Sequence, residues 1–321
     1  MVSTDPTIRE NPYSWNREAN VVYLEQPVGV GFSYSDSSMD YSNTNDALSA
    51  MDLNGAVRDF LKRFPKYLNN DVFLAGENYA GIVIPLAAMN ILEGNTKGQL
   101  PIVHLKGIMV GNGFMDDATD CNNIPLMMKN KNLISSDVYD KGFKDCKGDF
   151  YANQNWGDCS NFLADIKEIF KTVNPHFMDD KCGYSPMDVT PTVETSIRLN
   201  PLFKLRFSNG VTSKFIQGIS RGKSDASCVP NAALSKFFNH ADVRKALGIT
   251  REPIDDFGWG VCSISIKYST VYDSVLPFYA KIASMMRVLI YSGDSDITMS
   301  YIGTSAAVDK LKLGLSSDWK A

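Results

Sequence analysis

The sequence predicts an α/β fold, with a mostly parallel central sheet and helices on both faces. Short apolar runs rich in β-branched residues alternate with longer stretches of helical spacing. Each run is apolar at both alternating positions, as a strand covered on two faces must be. A length of 321 residues accommodates one large α/β domain with an insertion, or two ordinary domains.

The first apolar run is NVVYL (20–24), followed by DVFLAG (71–76), LKGIMVGNG (105–113) and MRVLIYSGD (286–294), all expected as strands. Between the first two, Ala47, Met51, Val57, Leu61 and Phe64 recur near helical spacing and Pro65 stops the pattern, which predicts a β-α-β unit. IVIPLAAMNIL (82–92) predicts a helix after the second strand. From 115 to 240 the chain turns to mixed polar segments rich in Asn, Asp, Lys and Cys, as expected of a cap over the sheet. NHADVRKALGI (239–249) resumes a clear helix, with Asn239 or Asp242 available to cap it. The expected division is 1–114 as the first part of the core, 115–240 as the insertion and 241–321 as the second part of the core.

Composition excludes several classes. Hydrophobic residues make up 44%, charged residues 21%, and the net charge is −4, so no basic excess points to nucleic acid or anionic lipid. No apolar run approaches the ~20 residues that cross a bilayer, and the first residues lack a signal-peptide pattern. Cys121, Cys146, Cys159, Cys182, Cys228 and Cys262 form no CxxC pair, which disfavours zinc and favours disulfides. Disulfides point to an oxidising compartment, although no N-x-S/T acceptor is present. VGVGFSY (28–34) lacks the third glycine of a dinucleotide loop, so its glycines are expected to shape a turn. DSDITMSYIGTS (294–305) lacks the sixth-position glycine and twelfth-position glutamate of a calcium loop. No metal or cofactor is expected.

The segment FLAGENYAGIVIP (73–85) has the form of the sharp strand-to-helix turn that exposes a nucleophile, with Gly76, Ala80 and Gly81 small enough to permit it. Its apex is Asn78, whose amide cannot become an alkoxide.

Five blocks in order, NPYSWNREANVVYLEQPVGVGFSYS, FPKYLNNDVFLAGENYAG, LKGIMVGNGFMD, DVRKALGI and VLIYSGDSDITMSYIGT, resemble the serine carboxypeptidase family (S10) of α/β-hydrolases. The resemblance spans nearly the whole chain. It implies an α/β-hydrolase sheet with a largely helical insertion, lacking the N- and C-terminal parts of the fold. It places Asn78 at the nucleophile position, Asp296 at the triad acid, Tyr79 as an oxyanion amide and Glu77 in contact with a substrate carboxylate. Such an acid beside a bound carboxylate is favourable when the two share a proton. The family's glycine-rich segment would precede Asn11, its base would follow Asp296, and Ile82 and Val83 stand where members carry a polar residue and an aromatic. The family cysteine matched by Cys262 would lack its usual partner. His104, His176 and His240 are expected as surface or capping residues, with none for Asp296 to orient; Asp296 would then cap backbone amides. The resemblance thus implies a carboxypeptidase relative without activity. The alternatives are a binding protein for peptide or protein C-termini and, more remotely, an acyltransferase relative. Family members are secreted or vacuolar and lysosomal, and the oligomeric state is left open.

Overall fold

Three strands, Val72–Glu77 (β2), Leu105–Gly111 (β3) and Arg287–Tyr291 (β5), form a parallel sheet in the order β2-β3-β5. Glu77, Gly111 and Tyr291 lie side by side at its carboxyl edge. The computed structural model describes residues 10–169, 173–179, 231–255, 258–260, 263 and 265–317. These fall into two compact units, one of 45–179 with 270–317 and one of 10–44 with 231–269. Two two-residue strands, Thr44–Asn45 (β1) and Tyr268–Ser269 (β4), complete the strand set of the described residues.

In the larger unit, helix α1 (Asp46–Arg63) starts where the Asn45 side chain accepts from Leu48 N at 2.9 Å and ends ahead of Pro65, which opens a 3-10 turn. The buried face matches the predicted stripe only in part, with Leu61 buried and Val57 packed against the core. Asp46, Ser49, Ala50, Leu53, Arg58 and Leu61 are buried, whereas Met51 and Phe64 are exposed. Polar groups are accepted on this face because each is bonded. Asp46 takes the amides of Val271 and Tyr272, and the Arg58 guanidinium donates to backbone carbonyls of Ile91, Gln99 and Pro101.

Helix α2 (Ala80–Thr96) packs on β2 and β3 and is buried around most of its circumference, as its apolar sequence requires. Pro85 sits inside it and has no N–H for the Gly81 carbonyl. The fully buried Tyr279 hydroxyl donates to that oxygen instead, at 2.8 Å. Tyr279 belongs to α8 (Leu276–Ala283), which packs against β5 and α2.

The insertion contributes α3 (Asp117–Asn130), α4 (Ser136–Asp145) and α5 (Gly157–Ile169), with α3 and α4 capped by Asp116 and Ser135. A disulfide joins Cys146 to Cys159 between α4 and α5. Their core gathers Cys121, Ile124, Met127, Phe150, Phe162 and, from beyond β5, Ile297. Helix α9 (Tyr301–Lys310), capped by Ser300, packs on α3. Cys182, Cys228 and Cys262 lie outside the described residues.

In the smaller unit, residues 10–44 group with 231–269. Glu25 is the hub. Its carboxylate accepts from Phe32 N (2.7 Å) and from the Trp259 indole (2.8 Å). Trp259 stacks near Phe238, of α6 (Asn231–Phe238), with centroids 4.4 Å apart. Gly31, at φ 57°, follows the expected turn, and a Cβ there would fall 1.8 Å from Glu25 Oε1. Helix α7 (Ala241–Ala246) is capped by His240, whose Nδ1 accepts from Asp242 N at 3.3 Å, in place of Asn239 or Asp242. NVVYL forms no strand. Val22, Tyr23 and Leu24 are exposed and no described strand pairs with them, so β propensity has no ladder to join.

Candidate functional site

The site is built at the carboxyl edge of β2, β3 and β5, where parallel α/β sheets place their ligands. Asn78 stands between β2 and α2 at φ 57°, in the left-handed region that asparagine tolerates better than most residues. Three backbone bonds hold it there. Its N–H donates to Gly111 O (3.1 Å), and its carbonyl accepts from Gly81 N and Phe114 N, both 2.9 Å. The small neighbours permit this geometry: a Cβ on Gly76 would lie 2.5 Å from Ala80 Cβ, and one on Gly81 would lie 2.5 Å from Phe114 O. Tyr79 occupies the N-cap position of α2, so residues 78–80 face the helix's amino end. Ile82 and Val83 are core residues at 2% and 6% exposure.

Asp296 follows β5 and is 4% exposed. Its Oδ1 accepts from Thr298 N (2.8 Å), Thr298 Oγ1 (2.7 Å) and Met299 N (2.9 Å). The expected backbone-capping role is therefore present. The loop is tied to β3 by Asn112, whose side-chain amide donates to Met299 O (3.0 Å) and whose Oδ1 accepts from Gly293 N (3.0 Å).

The expectation that no histidine meets Asp296 is overturned. His176 Nδ1 lies 3.1 Å from Thr298 Oγ1 and 3.9 Å from Asp296 Oδ2. The latter is an ion-pair separation, and the direct hydrogen bond is the one to Thr298. Sequence order hid this, because the imidazole comes from a segment far ahead of the acid. Residues 174–179 are clipped to 295–297 by Met178 N to Ser295 O (2.9 Å) and Ile297 N to Pro175 O (2.8 Å). Ser295 Oγ also donates to Asp179, and His176 N donates to Asn174 Oδ1 (3.1 Å). No spacing in the sequence marks His176. His104 and His240 lie elsewhere, as expected.

Electrostatics join Glu77 to this pair. Glu77 stands at the exposed end of β2, yet surrounding protein raises its pKa by desolvation; His176 opposes the rise and Asp296 adds to it. For His176, desolvation disfavours the cation, but Asp296 and Glu77 outweigh it and the pKa rises above its usual value. The imidazole is 58% exposed, so solvent tempers each of these effects. Among the described residues no group of three or more His, Cys, Asp or Glu is arranged to hold a metal, and no helix is long and apolar enough to cross a membrane.

The family model for serine carboxypeptidases matches residues 1–321. Serine carboxypeptidase-like 26 of Oryza sativa subsp. japonica is 33% identical over 97% of this chain and 63% of its own length. Serine carboxypeptidase-like 20 of Arabidopsis thaliana is 28% identical over 98% of this chain and 67% of its own length. The crystal structure of Kex1(delta)p, a prohormone-processing carboxypeptidase from Saccharomyces cerevisiae, superposes with a TM-score of 0.55 at 22% identity. It covers 90% of this chain and 59% of that one, and at that identity shows a shared α/β-hydrolase fold. The chain spans about two thirds of the length of these curated relatives. With the fold, the turn at Asn78 and the family match in agreement, this chain belongs to the serine carboxypeptidase family.

Proposed function

We propose that this chain is a serine carboxypeptidase homologue that forms no acyl-enzyme, so that proteolysis describes its ancestry and not its chemistry. Asn78 carries the reading. It occupies the apex where an attacking oxygen is needed, and an amide nitrogen, its lone pair delocalised into the carbonyl, supplies neither an alkoxide nor a useful nucleophile. Asp296 is then the position of the triad acid and the Tyr79 amide that of an oxyanion donor, both kept on the scaffold without a covalent step to serve. The test is a fluorophosphonate probe on pure protein, read by intact mass. No adduct is expected, and a stoichiometric adduct on the unchanged chain overturns the reading.

A second reading is favoured by Glu77. A carboxyl group with a raised pKa can share a proton with a bound carboxylate instead of repelling it, which suits a protein that holds peptide C-termini. Binding of a peptide with a free C-terminus, compared with its amide at pH 5, tests it; equal binding removes it. An acyltransferase relative needs the same attacking oxygen and is disfavoured by the same residue. The Cys146–Cys159 disulfide supports the secreted or vacuolar setting expected of the family.

A further inference from the structure

Residues 174–179 lie against the loop that carries Asp296, and few contacts hold them there. Two backbone hydrogen bonds cross the junction, Met178 N to Ser295 O (2.9 Å) and Ile297 N to Pro175 O (2.8 Å), and Ser295 Oγ donates to Asp179. Apolar anchorage comes from Val173 and Met178, both only partly buried against the core of the insertion, while Phe177 is 52% exposed. A junction held by so little opens at low cost, so one ionic contact can shift its equilibrium.

His176 supplies that contact. Its Nδ1 lies 3.1 Å from Thr298 Oγ1 and 3.9 Å from Asp296 Oδ2. The single hydroxyl hydrogen of Thr298 goes to Asp296 Oδ1 at 2.7 Å, so toward the ring the hydroxyl accepts and the imidazole proton sits on Nδ1. A second proton is then taken at Nε2, which leaves the Thr298 hydrogen bond in place. The added charge stands within ion-pair reach of a buried carboxylate, whose Oδ1 is already occupied by three donors and whose Oδ2 faces the ring. Glu77, from the end of β2, is the other carboxyl group that acts on the imidazole, and in the same direction.

We propose that residues 174–179 are a pH-sensitive clip, tightened onto the Asp296 loop when His176 is protonated and loosened when the proton leaves. The inference is independent of whether Asn78 supports covalent chemistry. Desolvation opposes the imidazolium, but Asp296 and Glu77 outweigh it, so the folded pKa exceeds the ordinary 6.5. The stabilisation is therefore complete below that value and is lost as pH rises through the folded pKa. The loop at the carboxyl edge of the sheet is held most firmly in acid.

Amide hydrogen exchange of the full chain at pH 5.5 and pH 8, corrected for the intrinsic effect of pH, tests the clip at the Met178 and Ile297 amides. Opening should be about two- to fivefold more frequent at pH 8, the range of an ion pair tempered by solvent. The difference should vanish in His176→Gln, which keeps a donor for Thr298, and persist in His104→Gln. No difference, one that survives in His176→Gln, or one shared equally by the β3 amides overturns the inference. Should His176→Gln open the junction at both pH values, imidazole NMR on the unchanged chain decides. A titration midpoint above 6.5 that falls in Asp296→Asn is expected; a midpoint at or below 6.5, or one indifferent to Asp296, overturns the proposal.

Discussion

Gly81→Ala and Gly55→Ala make the same chemical change in two helices and should move stability in opposite directions. A Cβ on Gly81 would sit 2.5 Å from Phe114 O, 2.7 Å from Phe114 N and 2.9 Å from the Gly113 carbonyl carbon, all of them backbone atoms that no rotamer change can clear. The amino end of α2 must withdraw from the segment after β3. That strains the Phe114 N bond to Asn78 O (2.9 Å) and the Tyr279 hydroxyl bond to Gly81 O (2.8 Å). Two weakened hydrogen bonds at about 1 kcal/mol each, with overpacking of ~1–3 kcal/mol, give a loss of about 3–5 kcal/mol. A Cβ on Gly55, exposed in the middle of α1, meets nothing within 4 Å. Its gain is the helix-propensity difference, about 0.5–1 kcal/mol. At roughly 2 °C per kcal/mol for a chain of this size, thermal denaturation followed by circular dichroism should show Gly81→Ala melting ~6–10 °C lower and Gly55→Ala ~1–2 °C higher. If Gly81→Ala melts with the unchanged protein, the turn at Asn78 is not held by close approach of α2 to the 113–114 backbone, and the account of the site geometry fails.

Arg58→Met should cost more than about 3 kcal/mol in denaturant unfolding, because the carbonyls of Ile91, Gln99 and Pro101 lose their charged donor; a cost below 1 kcal/mol would show that water replaces it. Asp120 is buried, and burial pushes its carboxyl up to about 7 despite hydrogen bonds from the Met115 and Asp116 amides. A folded pKa raised from 3.8 means that its contribution is complete below about 4 and lost as pH rises through about 7, a change on the order of 4 kcal/mol. Unfolding midpoints should therefore fall between about pH 4 and pH 7 and flatten in Asp120→Asn; an unaltered slope in the variant removes Asp120 as the cause. Replacing Cys146 and Cys159 by serine should destabilise the α4–α5 pair by about 3 kcal/mol, the entropy of a loop of 13 residues, read as faster amide exchange in α5.

Local chemistry made part of this protein legible. The apolar runs at 71–76, 105–113 and 286–294 become β2, β3 and β5 within two or three residues at either end, because each is flanked by turn formers and lies between elements that cover it. The same pattern at 20–24 fails, since a strand also needs a neighbour, and none is supplied there among the described residues. Apolar spacing located α1 but only part of its inward face, where Asp46 and Arg58 are buried because distant backbone groups satisfy them. The turn at Asn78 was readable from its small residues, whose reason is contact within a few residues of chain and with the end of β3.

The sequence by itself determined the α/β class, the strand-to-helix turn, the asparagine at its apex and the aspartate after β5, for these depend on neighbours in the chain and on side-chain chemistry. Tertiary structure alone decided that Asp296 has an imidazole beside it. His176 and Thr298 are 122 positions apart, and they meet because backbone bonds clip 174–179 onto the segment after β5. A pairing of that range leaves no period or spacing in the chain to read.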